Sequence, residues 1–343
     1  MQKSIKISFI VAIYNVEKYV RECIESLVNQ KSDEIEILLI DDGAKDRSGE
    51  ICDDYKGDPR VKIIHQVNQG VSVARNNGLS EATGKWIYFV DGDDLVADDL
   101  VEKLNEYLDK DYDVIYTGHY ERRNEKDKIV GPWVQGTKQL SSDDFKLFQR
   151  WMLNKYEFDD SFAVASPCVK LYRREFLLKN DLKFTPGVKI GQDKWLNMHV
   201  CDVAETGIYT SIPTYYYRMV ETSRTKRYSE NIENNYENLL YKLEKYIEQK
   251  GNAELIEAFR MRKITTFMYY IVLDFCHRDN PKSYRERREK FLYYLEQPLY
   301  VSMTKSSDYR MMSWKERLLL LGIRKKWFWL LELLNKVRDW LKV

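Results

Sequence analysis

The apolar run Trp86 to Val90 is followed at once by Asp91-Gly92-Asp93-Asp94, and the run Ile35 to Ile40 by Asp41-Asp42-Gly43. Successive side chains of an extended segment point to opposite sides, so Asp91 and Asp93 point the same way. Such a pair suits a divalent cation shared with an anionic ligand, one carboxylate holding the ligand and the other ligating the metal. A nucleoside diphosphate leaving group, with about three negative charges, can enter an acidic site only on those terms. The plain alternative is a solvated turn and a cap for a helix from Asp98. A third cluster is Asn68-Gln69-Gly70 with Arg75. Gly70 permits a tight turn into a helix, and Arg75 would face the diphosphate if that helix packs on a sheet, or water if it does not. Neither a Gly-x-Gly-x-x-Gly after the first apolar run nor a P-loop pattern is present, which argues against dinucleotide and P-loop sites.

Strand ends are needed to hold these clusters. Lys6 to Ile13, Ile35 to Ile40, Val61 to Ile64, Trp86 to Val90 and Val114 to Tyr116 have strand length and composition, with helical patterns between them. Asn15 reads as the N-cap of the first helix, which sets Val16, Tyr19, Val20, Cys23, Ile24, Leu27 and Val28 on one face. Strict alternation predicts a parallel, doubly wound α/β sheet whose ligands lie beyond the carboxyl ends of its strands. Gly118 to Gly136 reads as a loop or hairpin and Ser141 to Asn154 as a helix, and Pro167 to Tyr217 carries further short elements. From Ser229 the pattern is helical, broken at Gly251, Pro281 and Pro298.

In order and spacing, Ile10-Val11-Ala12-Ile13-Tyr14-Asn15, Asp41-Asp42-Gly43, the stretch Asn68 to Asn76 and the stretch Phe89 to Asp94 resemble the family 2 glycosyltransferases of the GT-A fold. The resemblance is specific over residues 5–100 and traceable to about residue 225. It implies a nucleotide-sugar-binding, Rossmann-like, mainly parallel sheet and inverting transfer from a UDP-sugar with Mn2+ or Mg2+. Position by position, it implies that Ala12 and Tyr14 line the base and ribose, that Asp42 bonds the uracil, and that Asn68 and Arg75 support the nucleotide. Asp91, with Gly92 beside it, would meet the ribose or sugar; Asp93 would ligate the metal, and Asp94 would orient the loop. Where the family has a Glu-Asp pair this chain reads Gln192-Asp193. The resemblance makes Asp193 the base that takes the acceptor's proton and leaves open what the missing Glu did; without it, an Asp at a helix start is a cap. Tyr215-Tyr216-Tyr217-Arg218 and Ser223 resemble a late segment whose Arg and Ser engage the pyrophosphate, although an aromatic core strand with a surface Arg fits the same residues. Lys170 lies in another stretch similar to the family and receives no role.

With 55 Lys+Arg against 54 Asp+Glu, the net charge of +1 gives no field that would announce nucleic acid as a partner. Five scattered cysteines without a CxxC pattern read as reduced thiols of a cytoplasmic protein. No apolar stretch approaches the ~20 residues of a membrane span. A catalytic domain over 1–225 and a helical domain over 226–343 are expected, the latter serving acceptor choice, assembly or membrane-surface contact. Its end, Ser313 to Val343, is basic and rich in tryptophan, with Trp327, Leu330, Leu331, Leu334, Val337 and Leu341 on one helical face. That face suits packing or a homo-oligomer, and equally a peripheral contact at the inner face of a membrane bearing a lipid-linked acceptor. A sugar of the glucose, galactose or N-acetylhexosamine class would go to a hydroxyl of a glycan, glycoprotein or lipid-linked acceptor. The alternatives are a catalytically silent nucleotide-sugar-binding partner, to which Gln192 lends weight, and a nucleotidyltransferase, whose usual Gly-rich basic loop is missing.

Overall fold

A computed structural model of the protein describes residues 5–123, 126–130, 133–157, 163–219, 228–301, 303 and 312–340. The chain divides into two compact units, the first drawn from residues 1–148, 160–187 and 192–221, the second from 149–159, 188–191 and 222–343.

The first unit begins as the alternation requires: β1 (Ile7–Ile13), α1 (Val20–Val28), β2 (Ile35–Asp41), α2 (Ser48–Asp53), β3 (Val61–His65), α3 (Val71–Glu81) and β4 (Trp86–Asp91). It continues through β5 (Leu95–Val96), α4 (Leu100–Leu108), the hairpin β6 (Val114–Arg123) and β7 (Lys126–Ile129), and β8 (Thr137–Leu140). Then follow α5 (Ser142–Leu153), β9 (Lys170–Arg173), α6 (Arg174–Lys179), α7 (Gln192–Val203) and β10 (Gly207–Arg218). Among the described residues one sheet runs β3-β2-β1-β4-β9-β6-β10-β5, with β7 beside β6 and β8 beside β10. The strands β3, β2, β1 and β4 are parallel, whereas β9 runs antiparallel to both β4 and β6. Simple alternation does not foresee that reversal: α5 precedes β9 as a crossover helix would, yet β9 enters the sheet in the opposite sense. In β1, Ile7, Phe9, Ile10, Val11 and Ile13 are all buried, the continuous apolar reading of a strand covered on both faces. Gly78 lets α3 approach closely, since a Cβ there would lie 2.3 Å from Ile10 Cγ2.

One local expectation needs correction. Asn15 is not the cap of α1, which starts at Val20. It adopts a left-handed turn (φ 54°), and its side-chain oxygen accepts from the Lys45 N–H at 2.8 Å, so its propensity for that conformation outweighs its capping propensity. Gly118 to Gly136 contains the expected hairpin, with β6 running on to Arg123 before the chain turns back into β7.

The second unit contains α8 (Glu233–Lys250), α9 (Ala253–Tyr270), α10 (Tyr284–Leu295), α11 (Pro298–Val301), α12 (Trp314–Arg324) and α13 (Phe328–Trp340). Gly251 ends α8 in the left-handed region, and Asn252 caps α9 by accepting from the N–H groups of Glu254 and Leu255. Ser283 with Glu286, and Ser313 with Glu316, form capping boxes on α10 and α12. Phe267 is the centre of the core, within 6.1 Å of the rings of Tyr270, Phe275, Phe291 and Tyr300. The last helix buries Phe328, Leu331 and Asn335, while Trp327, Trp329 and Leu333 are exposed. Of the face expected for it, Leu331 is buried and Leu330 and Leu334 are half-buried, Trp327 precedes the helix, and the side chains of Val337 and Leu341 lie outside the described residues. No helix of the described residues is long and apolar enough to cross a membrane.

Candidate active site

Arg75 sits on α3, only 2% exposed. Its Nη2 donates to Asp91 Oδ1 at 2.6 Å and its Nη1 to Asp193 Oδ1 at 2.5 Å, and its guanidinium lies 4.9 Å from the centre of the Phe184 ring. One planar fork thus joins the end of β4 to the first turn of α7. Burial opposes the charge, but the two carboxylates more than offset it and hold the guanidinium well above the usual arginine range. With both Nη atoms so engaged, Arg75 acts on the site by positioning Asp91 and Asp193.

The Asp193 side chain is 31% exposed. Its pKa is raised, chiefly by burial and further by Asp91, against the pull of Arg75. Oδ1 is taken by Arg75, whereas Oδ2 has no hydrogen-bond partner among the described residues. Below it, the buried Asn197 donates to the carbonyls of Asp193 and Ala165 and accepts from the Tyr172 hydroxyl at 2.8 Å, clamping the start of α7. Lys170, fully buried in β9, donates to the carbonyls of Ala163 and Ser166. Burial pushes its pKa down to about 7. The preceding Gln192 has a buried side-chain oxygen without a partner.

The turn after β4 is built around two unlike carboxylates. Asp94 is buried; it accepts from the Tyr215 hydroxyl at 2.6 Å and from the Arg218 N–H at 2.7 Å, which orients the loop by tying it to β10. Arg218 donates through Nε to the Asp93 carbonyl and through Nη2 to Glu22, with its guanidinium over the Tyr19 ring. It is 10% exposed rather than on the surface, and it braces the turn that carries Asp93. Asp93 itself accepts no side-chain hydrogen bond among the described residues, and burial, then the nearby Asp91, raise its pKa. An unpartnered, partly buried carboxylate beside a second one fits a divalent cation. No three His, Cys, Asp or Glu side chains converge among the described residues, so such an ion would take its other ligands from the diphosphate and water. Gly92 packs closely, and a Cβ there would crowd the Ala12 carbonyl at 3.1 Å.

Ala12 and Tyr14 are half-buried at the end of β1, next to the loop that precedes α3. Asp42 holds that loop: Oδ1 accepts from Gln66 Nε2 and the Gln69 N–H, and Oδ2 from Asn68 Nδ2 and the Gly70 N–H, all within 3.1 Å. Asn68 also donates to the Asp42 carbonyl. Ser223 lies outside the described residues. Sequence reading named Tyr215 without its tie to Asp94 and missed Asn197, Glu22 and Phe184, of which the last two act through contacts more than 100 residues apart.

The glycosyl transferase family 2 model matches residues 8–179, half of the chain and most of the elements just described. The chain belongs to this family. Among family relatives it is 30% identical over 284 residues to the glycosyltransferase YibD of Escherichia coli, covering 81% of this chain and 80% of that protein. It is 34% identical over 222 residues to the glycosyltransferase EpsJ of Bacillus subtilis, and 36% identical over 230 residues to the glycosyltransferase GlyA of Streptococcus pneumoniae. These matches cover 64% and 66% of this chain but 63% and 32% of those relatives. In fold it is similar to residues 1–349 of Staphylococcus aureus TarS solved with UDP-GlcNAc, with a TM-score of 0.67 and 19% identity, covering 98% of this chain and 92% of that one. The GT-A architecture of the family is thus the architecture of the first unit.

Proposed function

We propose that this glycosyltransferase is an inverting, metal-assisted enzyme that moves a sugar of the glucose, galactose or N-acetylhexosamine class from UDP to a hydroxyl of a glycan, glycoprotein or lipid-linked acceptor. The observation that carries this reading is the Arg75 fork. It holds Asp91 and Asp193 by one oxygen each and leaves the second oxygen of each open among the described residues. The UDP-GlcNAc bound by the TarS neighbour supports the choice of donor class.

In this reading Ala12 and Tyr14 line the uridine beside the loop held by Asp42 and Asn68, and Asp91 and Gly92 meet the ribose or sugar. Asp93 would hold Mn2+ or Mg2+, which would supply positive charge beside the diphosphate. Asp193 Oδ2 receives the proton of the acceptor hydroxyl as that oxygen attacks the anomeric carbon. The bond from that carbon to the UDP oxygen breaks on the opposite side, and UDP leaves with the bonding pair. A raised pKa makes Asp193 a stronger base than an ordinary carboxylate once ionised. Arg218, which braces the turn, and Ser223 engage the pyrophosphate. The second unit serves acceptor choice or assembly, in the cytoplasm or at the inner face of the membrane.

A panel of UDP-sugars with Mn2+, scored for UDP release and for the configuration of the product, tests the reading. Release with inversion is expected for one sugar class; silence across the panel would turn the assignment toward a nucleotide-sugar-binding partner.

A further inference from the structure

Between Ser313 and Lys336, along α12, α13 and the turn that joins them, charge is sorted by side. The charged residues exposed to water are Lys315, Arg317, Arg324, Lys325, Lys326 and Lys336, and no acidic residue is exposed with them. Both acids of the stretch are drawn inward. Glu316 accepts from the Tyr156 hydroxyl at 2.8 Å and from Lys155 Nζ at 3.1 Å, and Glu332 pairs with Arg287. From outside the stretch Glu296 meets Lys326 at 2.8 Å, a pair that does not reverse the sign of the surface. The net charge of +1 for the whole chain thus conceals a local excess of positive charge.

The other residues exposed here, Ser313 apart, are large and apolar: Trp314, Leu321, Trp327, Trp329 and Leu333. On α12, Trp314, Leu318 and Leu321 follow at i, i+4 and i+7 and line one surface depression of about 490 Å³ together with Arg317 and Arg324. On α13, Trp329, Leu333 and Lys336 repeat that spacing, and the rings of Trp327 and Trp329 lie 6.1 Å apart. The same two helices bury Leu320, Ile323, Phe328 and Leu331 in the core, so packing does not account for the residues on the outer side.

Tryptophan suits the boundary between water and hydrocarbon in a bilayer, and lysine and arginine suit the phosphates above it. A second copy of the chain, meeting this surface across a two-fold axis, would set like charges against one another. A nucleic acid would match the charge and stack on tryptophan, but it offers nothing to Leu321 and Leu333. We infer that the outer side of α12 and α13 docks the protein on an anionic phospholipid surface. The inference rests on the transferase reading only for its purpose, bringing the enzyme to a lipid-linked acceptor, since docking is measured without donor or acceptor.

The test sediments the full chain with vesicles of phosphatidylcholine alone and of phosphatidylcholine mixed with phosphatidylglycerol, and titrates it with a single-stranded oligonucleotide. Binding at least tenfold tighter to the anionic vesicles is expected, weakening as salt is raised, with tryptophan emission shifted to the blue and quenched by brominated acyl chains. Lys315→Glu combined with Lys325→Glu should lower that binding at least tenfold, and Trp329→Ala should lose part of both the binding and the quenching. These positions are exposed, so both variants should melt close to the wild type and keep its UDP affinity. Equal binding to neutral and anionic vesicles, unchanged binding by the folded charge-reversed variant, or an oligonucleotide held more tightly than the vesicles would overturn the docking surface. So would a dimer that these variants dissociate while neither kind of vesicle is bound. Silence with every donor sugar would instead sink the transferase reading and leave vesicle binding in place.

Discussion

Arg75 divides one positive charge between two carboxylates with different tasks, so its replacement should be read in both. As the proposed base, Asp193 would work only when ionised, and its pKa is raised by burial against the pull of Arg75. The rate should therefore fall as pH drops through that pKa. Removing the Arg75 charge moves the pKa further up, so Arg75→Met should shift the acid limb of the kcat/KM profile to higher pH as well as lowering the plateau. An acid limb that stays in place would mean that another group supplies the base. Asp193→Asn keeps the size of the side chain and removes its basicity, which typically costs ~10²–10⁴-fold in rate. UDP affinity should survive that change, since Asp42, Asn68 and Asp93 are untouched. Asp93 makes the opposite prediction. Chelation with EDTA should weaken UDP binding to the wild type, and Asp93→Ala should remove the metal-dependent part; equal affinity with and without chelator would rule out a cation at this carboxylate.

At the scale of elements, close approach fixes the geometry. Gly78→Ala would force a Cβ to within 2.3 Å of Ile10 Cγ2, pushing α3 and Arg75 off β1. Overpacking of this kind costs about 1–3 kcal/mol, which denaturant melts would register, and Asp193→Asn should show no comparable loss. Much of this element layer was legible in sequence, for physical reasons. A strand covered on both faces is apolar throughout, so the polar residue that ends it is conspicuous, and Asp41, Asp42, Asp91 and Asp93 could be found in that way. Gly70 before α3 was legible because few other residues adopt its backbone angles. What could not be read was pairing across distance. Nothing local to Arg75 announces Asp193, 118 positions away, or to Arg218 announces Glu22, 196 positions away. Asn15 misled because the same side chain suits a cap and a left-handed turn, and only the position of α2's preceding loop decides between them.

Across the whole molecule, the last helices matter to the integrity of the second unit. Leu320 and Ile323 of α12 and Phe328 and Leu331 of α13 are buried, Glu332 pairs with Arg287, and Asn335 donates to the Cys276 carbonyl. Truncation at residue 312 would remove this layer and bare the apolar faces it covers. The shortened chain should therefore bind a hydrophobic dye and melt at lower temperature, whereas α13 acting only as a membrane or oligomer contact would leave the unfolding of the monomer unchanged.

The five buried cysteines, none of which is in a disulfide among the described residues, offer a different use of the fold, as internal clocks. Cys23, Cys52, Cys168 and Cys201 belong to the first unit and Cys276 to the second. Burial raises the pKa of the first four, two of them to about 12, so few thiolates exist to react while the protein stays closed. A thiol reagent should leave the native chain unmodified. In graded urea, peptide mapping of the labelled sites would then time the opening of each unit separately. Labelling of Cys276 at a lower urea concentration than the other four would show that the helical unit opens while the nucleotide-sugar fold is still intact; simultaneous labelling would show that the two open together.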